Sequence, residues 1–404
     1  MTDALKPRDE ADVVEVVAWA LAEAKTLEVI GQGSKRLIGR AAQTDLTLDL
    51  SGLNGVDLYE PEELILSAKA GTPIAEIERL LAEKNQELAF EPMDCGPLLG
   101  GRVGAGTLGG TLAANLSGPR RIKAGAARDH SLGVHAVSGR GERFKSGGRV
   151  VKNVTGYDLS KLVAGSWGTL AVMTDLTIKV LPRAEDVVTM LVLGADDAHA
   201  NAAMMAAMGS SCEVSGAAHL PASAALRMPL PVVAGARTSV TALRLEGIPA
   251  SIAYRRKKLE EILRPFGTLS ALAAEDSRAF WRAVRDALPF ADATPRAVWR
   301  LSTAANAGAD VASKIVAATS AEVFYDWAGG LIWLEMPTAI AEENAVRAAL
   351  ARGGHALLLR AEASVRASAV FEPQDAALAA LSRRVKESFD PKGILNPGRM
   401  WAGV

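Results

Sequence analysis

The chain has 404 residues, 49% of them hydrophobic and 23% charged, with a formal net charge of -1. That length implies two or three domains with room for a real core, and the near-neutral balance excludes nucleic acid or an anionic membrane as a partner held by bulk charge. No apolar run approaches the roughly 20 residues of a transmembrane segment, and the acidic start MTDALKPRDEADVVEVV does not read as a secretory signal.

Between residues 9 and 25, Val13, Val16, Val17, Ala20 and Leu21 share one helical face, with Asp9 as the cap and Pro7 just outside. TLEVIG reads as a short buried strand running into the loop GQGSKRLIG. Strand-like runs follow at 46–50, 56–59 and 64–70, and a second helix begins at Thr72 with Pro73 in its first turn. From 91 to 185 glycine is dense, and the stretch closes with TDLTIKVLP, so a domain boundary is placed at 182–187. Beyond it, strands at 297–305, 322–328, 331–336 and 355–362 combine with helices at 309–319 and 339–353. That order, β-α-β-β-α-β, is the split arrangement of a ferredoxin-like sandwich. TALRLEG and the helix after it resemble part of a comparable half, and the tail RRVKESFDPKGILNPGRMWAGV reads as a helix followed by a Pro/Gly-punctuated loop.

GAGTLGG at 104–110 satisfies the dinucleotide pattern G-x-G-x-x-G, with Asp129 twenty positions after Gly109. A Rossmann loop needs a buried strand before it and a full helix after it. Here EPMDCGPLLGGRV precedes it, and Gly118-Pro119 breaks the helix after about two turns, so the match is read as accidental. More informative is the recurrence of loops that combine glycine with hydroxyl or amide residues, at 31–35, 106–115, 153–158 and 165–172. Such loops let backbone N–H groups approach phosphate oxygens without a formal positive charge. Four of them suit one extended ligand carrying two phosphates and several polar rings.

In order and wording, IGQGSK, GTLGGTLAANLSGP, RDHSLG, VVKNVTGYDLSKLVAGSWGTLAVMTDLTIKVLP and DPKGILNPGRM resemble the flavoprotein family typified by vanillyl-alcohol oxidase and by D-lactate and glycolate dehydrogenases. GGRVVKNVTGYDLSKL, WAGGLIWL, GGHALLLRA and NPGRMWA are most similar, within that family, to the FAD-binding E subunits of bacterial glycolate oxidases. The resemblance implies an α+β chain: a two-subdomain PCMH-type FAD-binding domain at 1–183, a ferredoxin-like cap at 184–365 and a tail, 366–404, returning to the FAD domain. It implies that Ile30, Gly31, Gln32, Gly33, Ser34 and Lys35 cradle the FAD pyrophosphate. Thr107, Gly109, Gly110, Ala113 and Asn115 would line its other side. Asn153, Gly156, Tyr157, Asp158, Gly165, Gly168 and Val172 would hold the adenosine end and the ribityl region. Asn396, Pro397, Gly398 and Arg399 would close the flavin ring pocket. The GQGSK loop has no His or Cys to tether the ring, so FAD is expected to be non-covalent.

Hydroxy-acid dehydrogenases of this family carry a His-rich motif in the cap, with Arg for the carboxylate. The corresponding place here is Gly354-His355-Ala-Leu-Leu-Leu-Arg360, where a single His precedes an apolar strand, and it is read as structural rather than as a metal ligand. Arg300 and Arg360 could face a carboxylate or be structural, and no catalytic residue is assigned. Cys95 and Cys212 are the only cysteines and are far apart, so the chain is expected to be cytoplasmic, free of disulfides, and unable to hold an iron–sulfur cluster, which usually needs four thiolates. Electrons from a reduced flavin must therefore pass to a quinone, oxygen or a partner. The resemblance implies a complex that oxidises glycolate to glyoxylate, with a second FAD-binding subunit and an iron–sulfur subunit, peripheral to the inner membrane only through its partners. Two other readings stay open: a self-sufficient FAD-dependent 2-hydroxy-acid dehydrogenase, and a structural scaffold.

Overall fold

The computed structural model describes residues 4–41, 43–148, 156–350, 353–367 and 370–404. The N-terminal lobe is a small parallel sheet, with Leu46–Asp49 between Ala4–Leu5 and Leu27–Ile30. The helix Glu10–Ala22 packs on it through fully buried Val13, Val17 and Ala20, and its Asp9 cap accepts the N–H of Asp12, as the spacing predicts. Pro73 differs slightly from expectation: it is the extended cap residue of the helix Ile74–Ala82 rather than part of its first turn.

The second lobe is an antiparallel sheet in the order Val56–Glu60, Ile65–Lys69, Ala171–Lys179, Ser131–Ser138, Arg143–Gly147. Strand alternation sends Ala171 and Met173 toward the helices Ile74–Ala82 and Leu108–Ala114. Val172 faces the other way, into a core shared with Val13, Val17 and Leu48 of the first lobe.

The cap is one eight-stranded antiparallel sheet. Its second half, Val298–Ser302, Gly308–Thr319, Glu322–Asp326, Leu331–Glu335, Glu343–Ala349 and His355–Arg360, follows the order expected from the sequence. Its first half is a complete copy, from Asp186–Leu193 to Thr268–Leu272, and the halves meet at the single pair His219↔Tyr325. Most of that copy escapes sequence reading because its strand Gly216–Leu220 is GAAHL and its helix Asp197–Met208 is alanine-rich. Small residues carry almost no contrast between faces, which is the signal periodicity depends on.

The face of the cap sheet that carries Arg244 meets the two N-terminal lobes through a charged lock. Arg244 donates to both oxygens of Glu91 (2.7 and 3.2 Å), and Arg120 to both oxygens of Glu246 (3.1 and 2.8 Å). After the helix Ala376–Phe389 the tail returns to the first lobe, where Leu395 bridges Leu27 in parallel. Buried Lys386 secures it by donating to Asp390 (2.7 Å) and to the carbonyls of Thr169 (2.6 Å) and Leu395 (2.8 Å).

Candidate functional site

The strand Leu27–Ile30 ends at a groove between the two N-terminal lobes. On its free edge, Leu27 donates to the Ile394 carbonyl (2.7 Å) and Val29 to Asn396 Oδ1 (2.8 Å). Next in that alternation is Gly31, and from there the backbone amides of 31–35 donate to no acceptor among the described residues. Five adjacent unspent donors form a nest suited to anionic oxygens.

Opposite stands the N-terminus of the helix Leu108–Ala114, capped by Thr107, whose Oγ1 accepts from Gly110 (3.3 Å). The loop closes on this cap: a Cβ at Gly31 would lie 2.3 Å from Thr107 Oγ1. Behind it, Gly165 and Trp167 donate to the carbonyls of Leu112 (3.0 Å) and Ala113 (2.9 Å), which ties the 165–168 loop to the last turn of the same helix.

Two adjoining cavities of about 60 Å³ each run along this seam. Ile30, Gly31, Thr107, Gly110, Ala113 and Trp167 line both. Gln32, Gly33, Ser34, Lys35 and Arg399 line the first, which has the amide nest at its edge. Leu50, Ala70, Gly109, Gly168, Ala171 and Met173 line the second, an apolar slot of the kind a base ring would enter. The polar end with free amides and the apolar end with small residues fit the phosphates and adenosine of a dinucleotide. In the conformation seen, the loops must part to admit the whole of one.

Several expected residues are elsewhere. Val172 is fully buried in the inter-lobe core, because one step along a strand reverses the face; its neighbours Ala171 and Met173 line the slot instead. Asp158 caps the helix Leu159–Val163, accepting from Lys161 (3.2 Å) and Ser160 (2.7 Å). Gly156 and Tyr157 line neither cavity, and Tyr157 is 90% exposed. Asn115 ends its helix and takes the Arg128 N–H on its side-chain oxygen (3.0 Å), and Gly165 lies against it without lining either cavity. Asn153 lies outside the described residues. Gly109 lines the slot, but its missing Cβ makes room for protein, since a carbon there would lie 2.8 Å from the Ala70 side chain.

Asn396 also differs from expectation. It is almost wholly buried, and its amide is consumed within the frame: Oδ1 accepts from Val29 and Nδ2 donates to the Trp167 carbonyl (2.7 Å). It holds the groove together rather than reaching a ring edge. Arg399 stands behind the nest, donating to the Lys35 carbonyl (2.8 Å). Burial lowers its pKa to about 10, against the pull of Glu28, and neighbouring Arg366 and Arg36 lower it further.

Sequence reasoning missed Trp167, Leu50, Ala70 and Met173. Only Trp167 left a trace, as the lone aromatic in AGSWGTL; the others are ordinary apolar residues brought to the groove by the meeting of two sheets.

On the cap, Arg360 is structural. It donates to Glu335 (2.7 Å) and to the carbonyls of Phe290 (2.6 Å) and Arg296 (2.8 Å). Arg300 is different: it is buried, and its Nη2 has no partner. Its Cζ lies 4.7 Å from the Trp327 ring, over which Arg121 also sits at 4.4 Å, and burial beside Arg121 lowers its pKa to about 10. Its cross-strand neighbour Trp333 has an equally unpartnered indole N–H. His355 lies at the exposed entrance of its strand. Among the described residues, the one group of three or more His, Cys or acidic side chains whose ligand atoms lie together is Glu10, His135 and Asp175 in the N-terminal lobes, where Lys69 already pairs with Asp175.

Comparison with known proteins identifies the family. Residues 4–147 match a family described as "FAD binding domain", and 366–400 match "FAD linked oxidases, C-terminal domain". The chain is 32% identical to glycolate oxidase subunit GlcE of Escherichia coli over 394 residues, covering 96% of this chain and 97% of that one. It is 27% identical to glycolate oxidase subunit GlcD of Bacillus subtilis over 195 residues, 48% of this chain and 40% of the relative. In fold it is similar to substrate-bound p-cresol methylhydroxylase, with a TM-score of 0.74 at 15% identity, covering 99% of this chain and 88% of that one.

Proposed function

The chain belongs to the FAD-linked oxidase family that contains glycolate oxidase subunit GlcE, and from that premise we propose that it is the FAD-carrying subunit of a complex oxidising glycolate to glyoxylate, beside a second flavoprotein and an iron–sulfur subunit. Residues 1–183 are read as the FAD domain, 184–365 as the cap and 366–404 as the returning tail. The complex is read as cytoplasmic, reaching a membrane acceptor only through its partners; among the described residues no helix is long and apolar enough to cross a bilayer.

The observation that carries this reading is the two-ended groove, with its amide nest at 31–35 and its apolar slot at Ala171 and Met173. FAD bound there supplies the two-electron chemistry. The chain's own residues would bind and orient it: the nest and Thr107 would hold the phosphates, Trp167 and Met173 would line the slot for the base, and Asn396 and Arg399 keep the loops in register. Non-covalent attachment is proposed because the GQGSK loop carries no His or Cys that could tether the ring. A partner role for onward electron transfer is supported by the cysteines, both buried and in different lobes, which supply no set of thiolates for a cluster.

One observation favours the second reading, in which this chain takes substrate itself. Arg300 Nη2 and the Trp333 indole N–H are unpartnered donors on adjacent strands of the cap, suited to a carboxylate. Anaerobic mixing with glycolate or D-lactate separates the two. The partner reading expects the flavin of the isolated chain to stay oxidised and to bleach only when the second flavoprotein is added; bleaching by the isolated chain selects the second reading.

A further inference from the structure

Next to the groove, sharing Arg36 and Arg399 with its first cavity, is a larger, half-open cavity of about 570 Å³. Its charged lining is Glu28, Arg36, Arg40, Arg366 and Arg399, four guanidinium groups against one carboxylate. The single acid is already committed, since Arg36 donates to Glu28 through Nε (3.0 Å) and pairs with its second oxygen at 2.5 Å. Arg40 makes one long bond, to the Gly398 carbonyl (3.4 Å). Arg366 is 9% exposed; Nη1 donates to the Gly39 carbonyl (3.2 Å), while Nε is buried without a partner.

Crowding four like charges around one acid is unfavourable unless something negative joins them. A buried, unmatched donor adds its own cost. Both costs are relieved by an anion with more than one charge, because guanidinium forks match phosphate and carboxylate geometry in pairs.

We propose that this cavity binds a small organic molecule carrying two or more negative charges, a phosphomonoester or a di- or tricarboxylate, held by Arg36, Arg40, Arg366 and Arg399. Its volume exceeds that of an inorganic ion, and its open side lets the ligand exchange. Arg36 and Arg399 line both this cavity and the first cavity of the groove, and Arg399 holds the Lys35 carbonyl. An anion seated here therefore bears on the loop carrying the amide nest. The site stands apart from the proposed function, since it needs no particular substrate.

The test is calorimetric titration of the full chain as isolated, at constant ionic strength set with chloride, with glycerol phosphate in one arm and citrate in the other. Saturable binding at one site per chain is expected in one arm, and the arm identifies the source of the charge. Arg366→Gln should weaken that binding tenfold or more. Arg40→Gln, which removes only one long hydrogen bond, should weaken it severalfold with the melting temperature unchanged. Absence of binding in both arms overturns the proposal, as does wild-type affinity in both variants.

Discussion

Val29 and Asn396, 367 positions apart, are joined by a 2.8 Å hydrogen bond from the strand amide to the side-chain oxygen, and the same carboxamide donates to the Trp167 carbonyl. One buried side chain thus fixes three separate segments around the mouth of the groove. Asn396→Ala would leave the Val29 N–H and the Trp167 carbonyl unmatched, at about 1–3 kcal/mol for each buried group. The expected result is a lower melting temperature together with weaker FAD retention on gel filtration. A variant as stable as wild type that keeps its flavin would mean that the clamp is dispensable.

Gly31 touches Thr107 so closely that no side chain fits between them. Gly31→Ala should displace the amide nest and reduce flavin content at least tenfold, with the fold preserved by circular dichroism. Thr107→Ala in the same chain removes the 2.3 Å collision with Oγ1 and should restore part of that loss. Flavin absorbance per protein, compared between single and double variants, checks it.

Gly109 predicts a different phenotype. Its Cβ would press on Ala70, whose side chain is 2.8 Å away and whose carbonyl is 3.0 Å away, inside the sheet–helix packing. Gly109→Ala should destabilise the flavin-free chain by about 1–3 kcal/mol, the usual cost of overpacking. Urea unfolding of apoprotein measures this. An effect seen only when FAD is present would place the glycine at the ligand instead.

The lock between cap and FAD-binding lobes sets an acid limit. Burial tends to raise the Glu246 carboxyl, but Arg244 and Arg120 outweigh it and hold the pKa at about 2, below the ordinary 4.5. A lowered acid stabilises the folded state above its unfolded pKa and loses that contribution as pH falls toward its folded one. The shift corresponds to about 3 kcal/mol. Stability should therefore decline between pH 4.5 and 2, and Glu246→Gln should remove part of that decline in pH-dependent denaturation.

Asp326 works in the opposite sense. Burial pushes its carboxyl up to about 7, against the pull of the Trp327 N–H, and the charge on Glu91 adds to the rise. The unfolded chain releases this proton near pH 4 while the folded chain keeps it to about 7, so stability falls as pH rises through that window. Asp326→Asn retains the oxygen that accepts from Trp327 (2.7 Å) and should flatten the slope between pH 5 and 7. A slope that persists in the variant would assign the effect to another group.

What the sequence by itself determined is local or repeated. The Asp9-capped helix follows from the spacing of Val13 and Val17, the second cap half from alternating apolar runs, and the ligand-binding character of the first lobes from glycine paired with hydroxyl and amide residues. These signals survive in one dimension because each depends on neighbours within a few positions. Only the tertiary structure decided direction and company. It turned Val172 into a core and Ala171 and Met173 into the slot, spent the Asn396 amide on the frame, and gathered Arg36, Arg40, Arg366 and Arg399 around one cavity. Which face a strand residue presents, and which donors are already satisfied, depend on partners hundreds of positions away, and no local pattern encodes them.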